Sequence, residues 1–470
     1  MPSHVEPSRY RHGGAASRTL RRDGDRRRPG AQFPREAAGR RRLDQRRLLR
    51  DEAGRVRLHR RRLHGAGAGA ADGARQGQSA HCLFPRRFLA GDGHAARPAP
   101  PRRPVEQGRV ALEAVVTPSH AAWAGRRVLV TGHTGFKGAW LWLLLERLGA
   151  KPSGIALAPE TDPNLAVLTG IAADNRSVEL DIRDASALAA AVEAAAPEVV
   201  IHMAAQALVR RSYAEPAATW ASNVMGTIHL LDAVRRTPSV RAVVAVTTDK
   251  CYRNREWSWA YRETDELGGH DPYSSSKAGA EIAVASWRDS FFGDSGAAIA
   301  TARAGNVIGG GDWAADRLIP DCARAYVAGK PVEVRNPHSV RPWQHVLEPL
   351  SGYLLLAERL LSDRTAAEAW NFGPYESDSE CVARVVEIFA EAWGGGATWA
   401  LSPGPHPHEA HTLRIDAAKA RERLGWRPRL DLPTAIRWSA EWYRRRAAGE
   451  SARALCDEQI DLYLGRGEGA

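Results

Sequence analysis

The chain has 470 residues, 44% hydrophobic and 26% charged, so most of it can bury a core. No apolar run reaches the roughly 18–20 residues a membrane-crossing helix needs. The five cysteines form no CxxC pair, which speaks against a zinc cluster or a disulfide scaffold and makes a reducing cytoplasm the expected compartment. The net charge of +12 suggests a nucleic-acid binder only until it is divided along the chain. The first 110 residues hold 27 arginines, no lysine and 10 acidic residues, a net +17, whereas the remainder holds 39 basic against 44 acidic residues, a net −5.

Residues 1–118 are dominated by Arg, Ala, Gly and Pro, contain no tryptophan, and keep no hydrophobic period over any long window. Such a segment cannot bury enough apolar area to offset its ordering entropy, so it is expected to be disordered. Its residue types are those of GC-rich codons. The leading expectation is translation from a start placed upstream of the natural one, with Val115 or Val116 as a GTG start. A passive tail is the alternative. An arm for nucleic acid or organelle targeting is the third reading, and the absence of lysine argues against it.

At Arg126 the pattern changes. Arg127-Val-Leu-Val-Thr131 reads as a strand, Gly132-His-Thr-Gly-Phe-Lys-Gly138 as a glycine turn, and Ala139–Leu148 as a helix closed by Gly149. Strand, glycine turn and helix in that order open a dinucleotide-binding unit. The glycines admit a pyrophosphate, and the helix N-terminus offers it unpaired N–H groups. A plain tight turn is the bland alternative. The rhythm then repeats. Apolar runs at Pro152–Ala158, Val178–Asp181, Val199–Met203, Ala242–Thr248 and Ala298–Arg303 alternate with helical stretches such as Ala185–Ala196 and Val224–Arg236. This alternation predicts an α/β fold: a Rossmann-type, doubly wound parallel sheet with ligands at the carboxyl ends of its strands. His133, Asp181, Ala204–Gln206, Thr247–Lys250 and Asn306 fall there.

Two local patterns narrow the chemistry. Tyr273-Ser-Ser-Ser-Lys277 follows Asp271-Pro272 at a helix start, so Tyr273 and Lys277 share one helix face. A nearby ammonium favours the phenolate, which would let Tyr273 act as a base nearer neutral pH. Thr247-Thr248-Asp249-Lys250 places a carboxyl beside an amine at a strand end, supplying an acid and a base together. The bland readings are a surface tyrosine with a solvated lysine, and a loop ion pair.

With Gly132–Gly138, these patterns are accompanied by His202-Met-Ala-Ala-Gln206, Asn223-Val-Met-Gly-Thr227, Thr248-Asp-Lys-Cys-Tyr252, Arg303-Ala-Gly-Asn-Val-Ile-Gly-Gly-Gly-Asp-Trp313 and Arg341-Pro-Trp-Gln-His345. On these motifs the chain from about Trp123 onward resembles the sugar-nucleotide 4,6-dehydratases of the extended short-chain dehydrogenases/reductases. The resemblance implies an NAD-binding domain at 119–308 that carries the catalytic residues. It also implies a smaller C-terminal α/β domain at 309–470, mainly for the sugar nucleotide, and a soluble homodimer joined through the Val224–Arg236 and Tyr273 helices. The implied substrate is CDP-glucose, dehydrated by an internal redox cycle that serves deoxysugar biosynthesis of the O-antigen (lipopolysaccharide) type.

Site residues carry over from the same resemblance. The cofactor is expected at Gly132, Thr134, Gly135, Phe136, Lys137, Gly138, Asp181, Ile182, Ala204, Ala205, Gln206 and Asn223, with Lys277 on its ribose. No basic residue follows the second strand (Ile155-Ala-Leu-Ala-Pro159), which favours NAD over NADP. Tyr273 would take the proton of the 4-hydroxyl, Thr248 would hydrogen-bond the 4-oxygen, and Asp249 would be the acid for the leaving 6-hydroxyl. Lys250 would be the base at C5, an enolate stabiliser, or both. Arg341 suits a diphosphate because its fork pairs bidentately with phosphate oxygens. Asn306 can donate to the same group, and Arg335, Trp343 and His411 are weaker substrate candidates. No metal is expected. A 4-epimerase or reductase would share the glycines and the Tyr-Lys pair but would not need Asp249 beside Lys250. A non-catalytic NAD-binding regulator and a nucleic-acid-tethered enzyme are the remaining alternatives.

Overall fold

The computed structural model describes residues 116–293, 296–404 and 410–465. The expectations for the arginine-rich segment therefore lie outside the described residues, apart from its last three positions. Seven strands form one parallel sheet: β1 (Arg127–Thr131), β2 (Lys151–Ala156), β3 (Ser177–Glu179), β4 (Val199–His202), β5 (Ala242–Val246), β6 (Ala298–Ala304) and β10 (Ala369–Phe372). Their order across the sheet is β10-β6-β5-β4-β1-β2-β3. The order reverses between β1 and β4, the switch point beside which ligands of such sheets bind.

β1, β4, β5 and β6 are buried on both faces apart from Arg127 at the start of β1. β5 (AVVAV) and β6 (AIATARA) are buried at every position, as a parallel sheet covered by helices requires. One face packs against the Phe136–Arg147 and Leu347–Ser362 helices, with Trp140, Leu143, Leu350 and Leu354 in its core. The other packs against the Ala185–Ala195, Gly226–Arg235 and Pro272–Phe291 helices, with Leu188, Leu230, Val284 and Ile299. The six strands expected from the sequence are present. The seventh, β10, lies beyond the alternation of strands and helices read from the sequence, and it returns to the sheet from far downstream to pair with β6.

Beyond β6 the chain builds a second layer. β7 (Asn306–Ile308), β9 (Val340–His345) and β11 (Ser379–Cys381) make a three-stranded sheet in the order β11-β9-β7, and β8 (Val332–Val334) pairs in parallel with β12 (Trp399–Leu401). β7 starts two residues after β6 ends, so the chain steps from the large sheet into the small one at Gly305. A Cβ at Gly305 would sit 2.6 Å from Pro342 Cγ, which is why the step needs glycine. The step hangs the small sheet over the carboxyl ends of β4, β5 and β6.

Candidate active site

The cleft between the two layers has a volume of about 430 Å³. Its walls include Lys137, Ala205, Thr248, Asp249, Lys250, Tyr273, Lys277, Asn306, Arg335, Arg341 and Trp343, eleven of the residues singled out by sequence.

The glycine turn explains its own composition. Gly132 has φ +78°, and a Cβ there would lie 2.8 Å from the Ala204 backbone nitrogen. A Cβ on Gly138 would lie 2.2 Å from the Gly132 carbonyl oxygen, so this glycine lets the helix pack onto the turn. Gly135 is different: a Cβ there would meet nothing nearer than the Gly132 oxygen at 3.4 Å. It faces open space at the N-cap of the Phe136–Arg147 helix, which has no side-chain cap. The first N–H groups of that helix are thus left for an anion. Phe136 packs against Gly309, and Thr134 donates to the Leu157 carbonyl at 2.9 Å.

At the next strand ends, Asp181 accepts from Arg183 through its backbone N–H (2.9 Å) and Nε (2.8 Å), and this pairing holds its carboxyl below the usual range. Ile182 is buried against Gly226. His133 points away from the cleft, buried against Gly154 with Nε2 2.6 Å from Ser177 Oγ. Asn223 and Gln206 also spend their polar atoms inside the protein. Asn223 donates to Ser276 Oγ (2.8 Å) and the Gln206 carbonyl (3.0 Å) and accepts from Gln206 N (2.8 Å). Gln206 bonds Leu208 and Thr219. Asn223 therefore ties the β4 loop to the helix that carries Tyr273.

The floor of the cleft is built from β5 and that helix. After Val246 the chain turns out, with Thr248 as the N-cap of a short turn, Asp249–Cys251. Thr248 Oγ1 donates to Asp249 Oδ1 at 3.1 Å and accepts from Lys250 N at 3.3 Å. Asp249 is 2% exposed, and its Oδ2 has no hydrogen-bond partner. Burial pushes its carboxyl above the usual range against the pull of Lys250, as an acid that must hold a proton requires. Lys250 is half-buried beside it.

The Tyr273–Lys277 pair departs from expectation. Both line the cleft, but Lys277 Nζ donates to the Val246 carbonyl at 2.9 Å. Burial pushes the Tyr273 phenol up to about 12, with Thr248 pulling the other way. The lysine does not bring the phenol toward neutral pH: its Nζ is spent on the Val246 carbonyl, and burial pulls Lys277 itself down to about 8. Lys137 shows the same effect more strongly, pulled down to about 7 by burial and by the neighbouring Arg317 and Lys277.

A network the sequence reading missed fixes this floor. Glu281, one helical turn after Lys277, accepts from Thr301 Oγ1 (2.7 Å), Arg303 Nη2 (2.7 Å) and Thr247 Oγ1. Burial alone would raise its carboxyl, but Arg303 and the two hydroxyls hold it below the usual range. The network clamps the helix to the ends of β5 and β6. Its signal was the Tyr-x-x-x-Lys-x-x-x-Glu spacing, which puts all three side chains on one helix face.

The roof differs from expectation in detail. Arg341 is buried and donates to the carbonyls of Val340 (2.9 Å), Ala410 (2.6 Å) and His411 (3.3 Å). His411 itself is exposed and outside the cleft wall. Asn306 lines the wall on β7, and Trp343 donates to the Glu380 carbonyl at 3.1 Å. Arg335 pairs with Asp316 at 2.7 Å, and so does Arg210 at 3.0 Å. Arg210 and Arg317 were not singled out. Arg317 pairs with the buried Asp312 at 2.9 Å and acts electrostatically on Tyr273. Its signal was proximity to Asp312-Trp313, a motif read for its glycines rather than for its cations.

The family model described as GDP-mannose 4,6 dehydratase matches residues 129–438, and the chain belongs to that NAD-dependent epimerase/dehydratase family. Within it, the chain is 47% identical over 348 residues to a CDP-glucose 4,6-dehydratase of Salmonella typhimurium, covering 73% of this chain and 97% of that one. It is 29% identical over 327 residues to a dTDP-glucose 4,6-dehydratase of Streptomyces antibioticus, covering 67% and 92%. Among solved structures, a dTDP-glucose 4,6-dehydratase from Streptomyces venezuelae with NAD bound is 26% identical, with a TM-score of 0.59 and 68% and 98% of the two chains covered. A UDP-glucose 4-epimerase from Stenotrophomonas maltophila, also with NAD, is 25% identical, with a TM-score of 0.61 and 69% and 100% covered.

Proposed function

We propose that this chain is a CDP-glucose 4,6-dehydratase that uses NAD and releases CDP-4-keto-6-deoxyglucose and water. The observation that carries the reading is the buried Asp249, held toward its protonated form between Thr248 and Lys250 within the same cleft as Tyr273 and Lys277. The 47% identity over 348 residues to a relative of that activity supports it. An epimerase needs the Tyr-Lys pair but has no use for a second, protonated acid.

The residues at the cofactor end fit a dinucleotide. Gly135 leaves open the space in front of an uncapped helix N-terminus, and Gly132 and Gly138 let the turn close behind it. Bound there, NAD would supply a reversible hydride acceptor for the sugar. Tyr273 accepts the 4-hydroxyl proton. Thr248 holds the 4-oxygen. The C4 ketone acidifies the hydrogen on C5, which Lys250 takes up or whose enolate Lys250 stabilises, while Asp249 Oδ2 protonates the departing 6-hydroxyl.

Residues 309–470 mainly serve the sugar nucleotide. With Arg341 committed to backbone carbonyls, the diphosphate falls to Arg317, Arg335 and Arg210, with Asn306 as a further donor. The reading includes a homodimer, supported by Met225 and Ile282 at 45% and 60% exposure on the helices expected to join and by Trp220, 41% exposed, just ahead of the first. Among the described residues no helix is long and apolar enough to cross a membrane, in keeping with a cytoplasmic enzyme.

The test is incubation with CDP-glucose in deuterium oxide. The expected product is CDP-4-keto-6-deoxyglucose with deuterium at C5, since that carbon is deprotonated and reprotonated. CDP-galactose, or a product without deuterium at C5, replaces this reading with an epimerase. Asp249→Asn should stall after the first oxidation and accumulate absorbance near ~340 nm, the signature of reduced nicotinamide.

A further inference from the structure

The cleft holds a cation that the protein itself does not use. Lys137 follows the glycine turn as the second residue of the Phe136–Arg147 helix and lines the cleft. Among the described residues, none accepts a hydrogen bond from its ammonium or pairs with it in a salt bridge. Its contact is with a ring: Nζ lies 5.9 Å from the centre of Tyr353, at the outer limit of a cation–π attraction. Tyr353 is a fixed platform, fully buried and held edge-on by Phe372 at 5.6 Å. The three N–H donors of the lysine are therefore left for whatever fills the cleft.

Which ligand that is follows from where the lysine reaches. Tyr353 belongs to the Leu347–Ser362 helix, which packs on β5 and β6, whereas the lysine's own helix starts from β1, two strands away from β5. The side chain thus carries its charge from the glycine turn toward the strand end that bears Thr248 and Asp249. Tyr273 and Lys277 come to the same cleft from a helix on the opposite face of the sheet. A dinucleotide whose pyrophosphate sits at the uncapped helix N-terminus, and whose nicotinamide reaches a sugar held at Tyr273, has to pass Lys137 on the way. We propose that Lys137 sets the balance between the oxidised and reduced forms of the nicotinamide by standing beside the ring as a like charge. The inference rests on the NAD-dependent reading above.

Hydride transfer from C4 adds a proton and two electrons to the ring and takes its charge from positive to neutral; the return to C6 restores it. A cation nearby therefore favours the reduced form, and an oxidised ring suppresses the cation. Burial, with Arg317 and Lys277 as like charges and Asp249 as the opposing one, already holds the Lys137 ammonium at about 7. Those three groups act from the loop ahead of the Leu318–Val327 helix, from the Tyr273 helix and from the turn after β5. Tyr353 adds no charge, because burial pushes its phenol up. The bias is thus present below about pH 7 and lost as pH rises through it. The proton that Lys137 gains or loses is exchanged with solvent through the cleft, so the sugar chemistry keeps its own balance. An amine that titrates close to neutral pH is a mild bias: it helps the ring take the hydride from C4 without holding it back from C6.

The test reads cofactor binding, not turnover. The full-length enzyme is equilibrated with mixtures of NAD+ and NADH without substrate, unbound nucleotide is filtered off, and the bound pair is released and quantified by chromatography. In the parent, the preference for NADH over NAD+ should rise about 5- to 10-fold from about pH 7.5 to about pH 6, as Lys137 gains its charge. Lys137→Met removes the amine and should flatten most of that rise. Lys137→Arg, charged throughout, should hold the preference for NADH high at both pH values. Lys277, at about 8, is present in all three proteins, so the comparison isolates Lys137. Thermal melts check folding, and Lys137→Gln replaces Lys137→Met if that variant does not fold. A parent-like pH dependence in Lys137→Met overturns the proposal. So does an equal loss of affinity for both forms, which is what a contact with the pyrophosphate alone produces. A parent that binds neither nucleotide fails the NAD-dependent reading instead, before the variants are compared.

Discussion

The floor and the mouth of the cleft are built on opposite physical terms. On the floor, Tyr273, Thr248, Asp249 and Lys277 are all under 10% exposed, and Glu281, Arg303, Asn223 and Ser276 lock the elements that carry them. At the mouth, Asp316 at 41% exposure holds both Arg210 and Arg335 in solvent-accessible pairs. Buried polar networks are costly to break because each lost partner leaves a desolvated group unpaired. Exposed ion pairs are worth about 0–1 kcal/mol and exchange partners easily. The floor is thus organised before substrate arrives, whereas the mouth keeps its cations on a partner that an incoming diphosphate can replace.

The largest effect should come from the floor's chemistry. Tyr273→Phe keeps the ring and its packing but removes the group that accepts the 4-hydroxyl proton. Formation of the 4-keto sugar should fall by about 10²–10⁴-fold, while NAD binding, followed by fluorescence or calorimetry, is retained. Near-normal turnover would remove Tyr273 from the mechanism.

Next comes the clamp beneath it. Glu281→Gln leaves Arg303, 3% exposed, without its counter-charge. Breaking a buried pair in this way costs about 3–5 kcal/mol, so a drop in melting temperature of many degrees is expected, with turnover falling as the Tyr273 helix loosens. An unchanged melting curve would mean that the floor is not held by this network.

Acid should also unlock the buried layers before the mouth. Burial lowers His133 to about 4, His202 to about 3 and His345 to about 3. The folded state keeps them neutral while the unfolded chain takes up protons below about 6.5. Their contribution is full above that pH and is lost as pH falls toward 4 and 3. Glu348, raised to about 7 chiefly by burial, has the opposite sign: its contribution is present below the ordinary carboxylate range and is lost as pH rises toward 7. Asp249, Glu263, Asp321 and Glu358, whose carboxyls burial also raises, act with Glu348 against the three rings, and the large displacement of the rings makes a net loss on acidification the expected outcome. Denaturant melts at pH 7 and pH 5 check it; equal stability at both would contradict the burial of these rings.

The same contrast decides what could be read without coordinates. Six strands of the main sheet and the Thr248–Lys250 and Tyr273–Lys277 groups were legible, because period and spacing are local properties of the chain. β10 was not, since it follows the end of the strand–helix alternation and joins the sheet only through a distant pairing with β6. The lowered phenol expected of Tyr273 followed from spacing alone, but the structure reverses it because burial acts on both partners and spacing says nothing of burial. Arg341 was the natural diphosphate clamp by residue type; it lines the cleft, but the carbonyls of Val340, Ala410 and His411 take three bonds from its five N–H groups, which residue type does not show. Arg317 and Arg210 were passed over because cations on loops look alike in sequence until the fold brings them to one wall.

The smallest and most specific effect belongs to Asp316. It sits at φ +63°, a left-handed conformation that asparagine tolerates nearly as well as aspartate and alanine does not. Asp316→Asn therefore removes the charge without straining the loop. The lost pairs with Arg210 and Arg335 are exposed, so the melting temperature should move by no more than a degree or two. Both guanidinium groups then face the cleft without a competing carboxylate. If they meet the diphosphate, KM for CDP-glucose should fall about 2- to 5-fold while kcat stays put, the pattern of a change in uniform binding. The gain should shrink as salt is raised, because these charges are open to screening. A rise in KM instead would show that Asp316 orients the two arginines rather than competing for them, and the mouth would then be as fixed before binding as the floor.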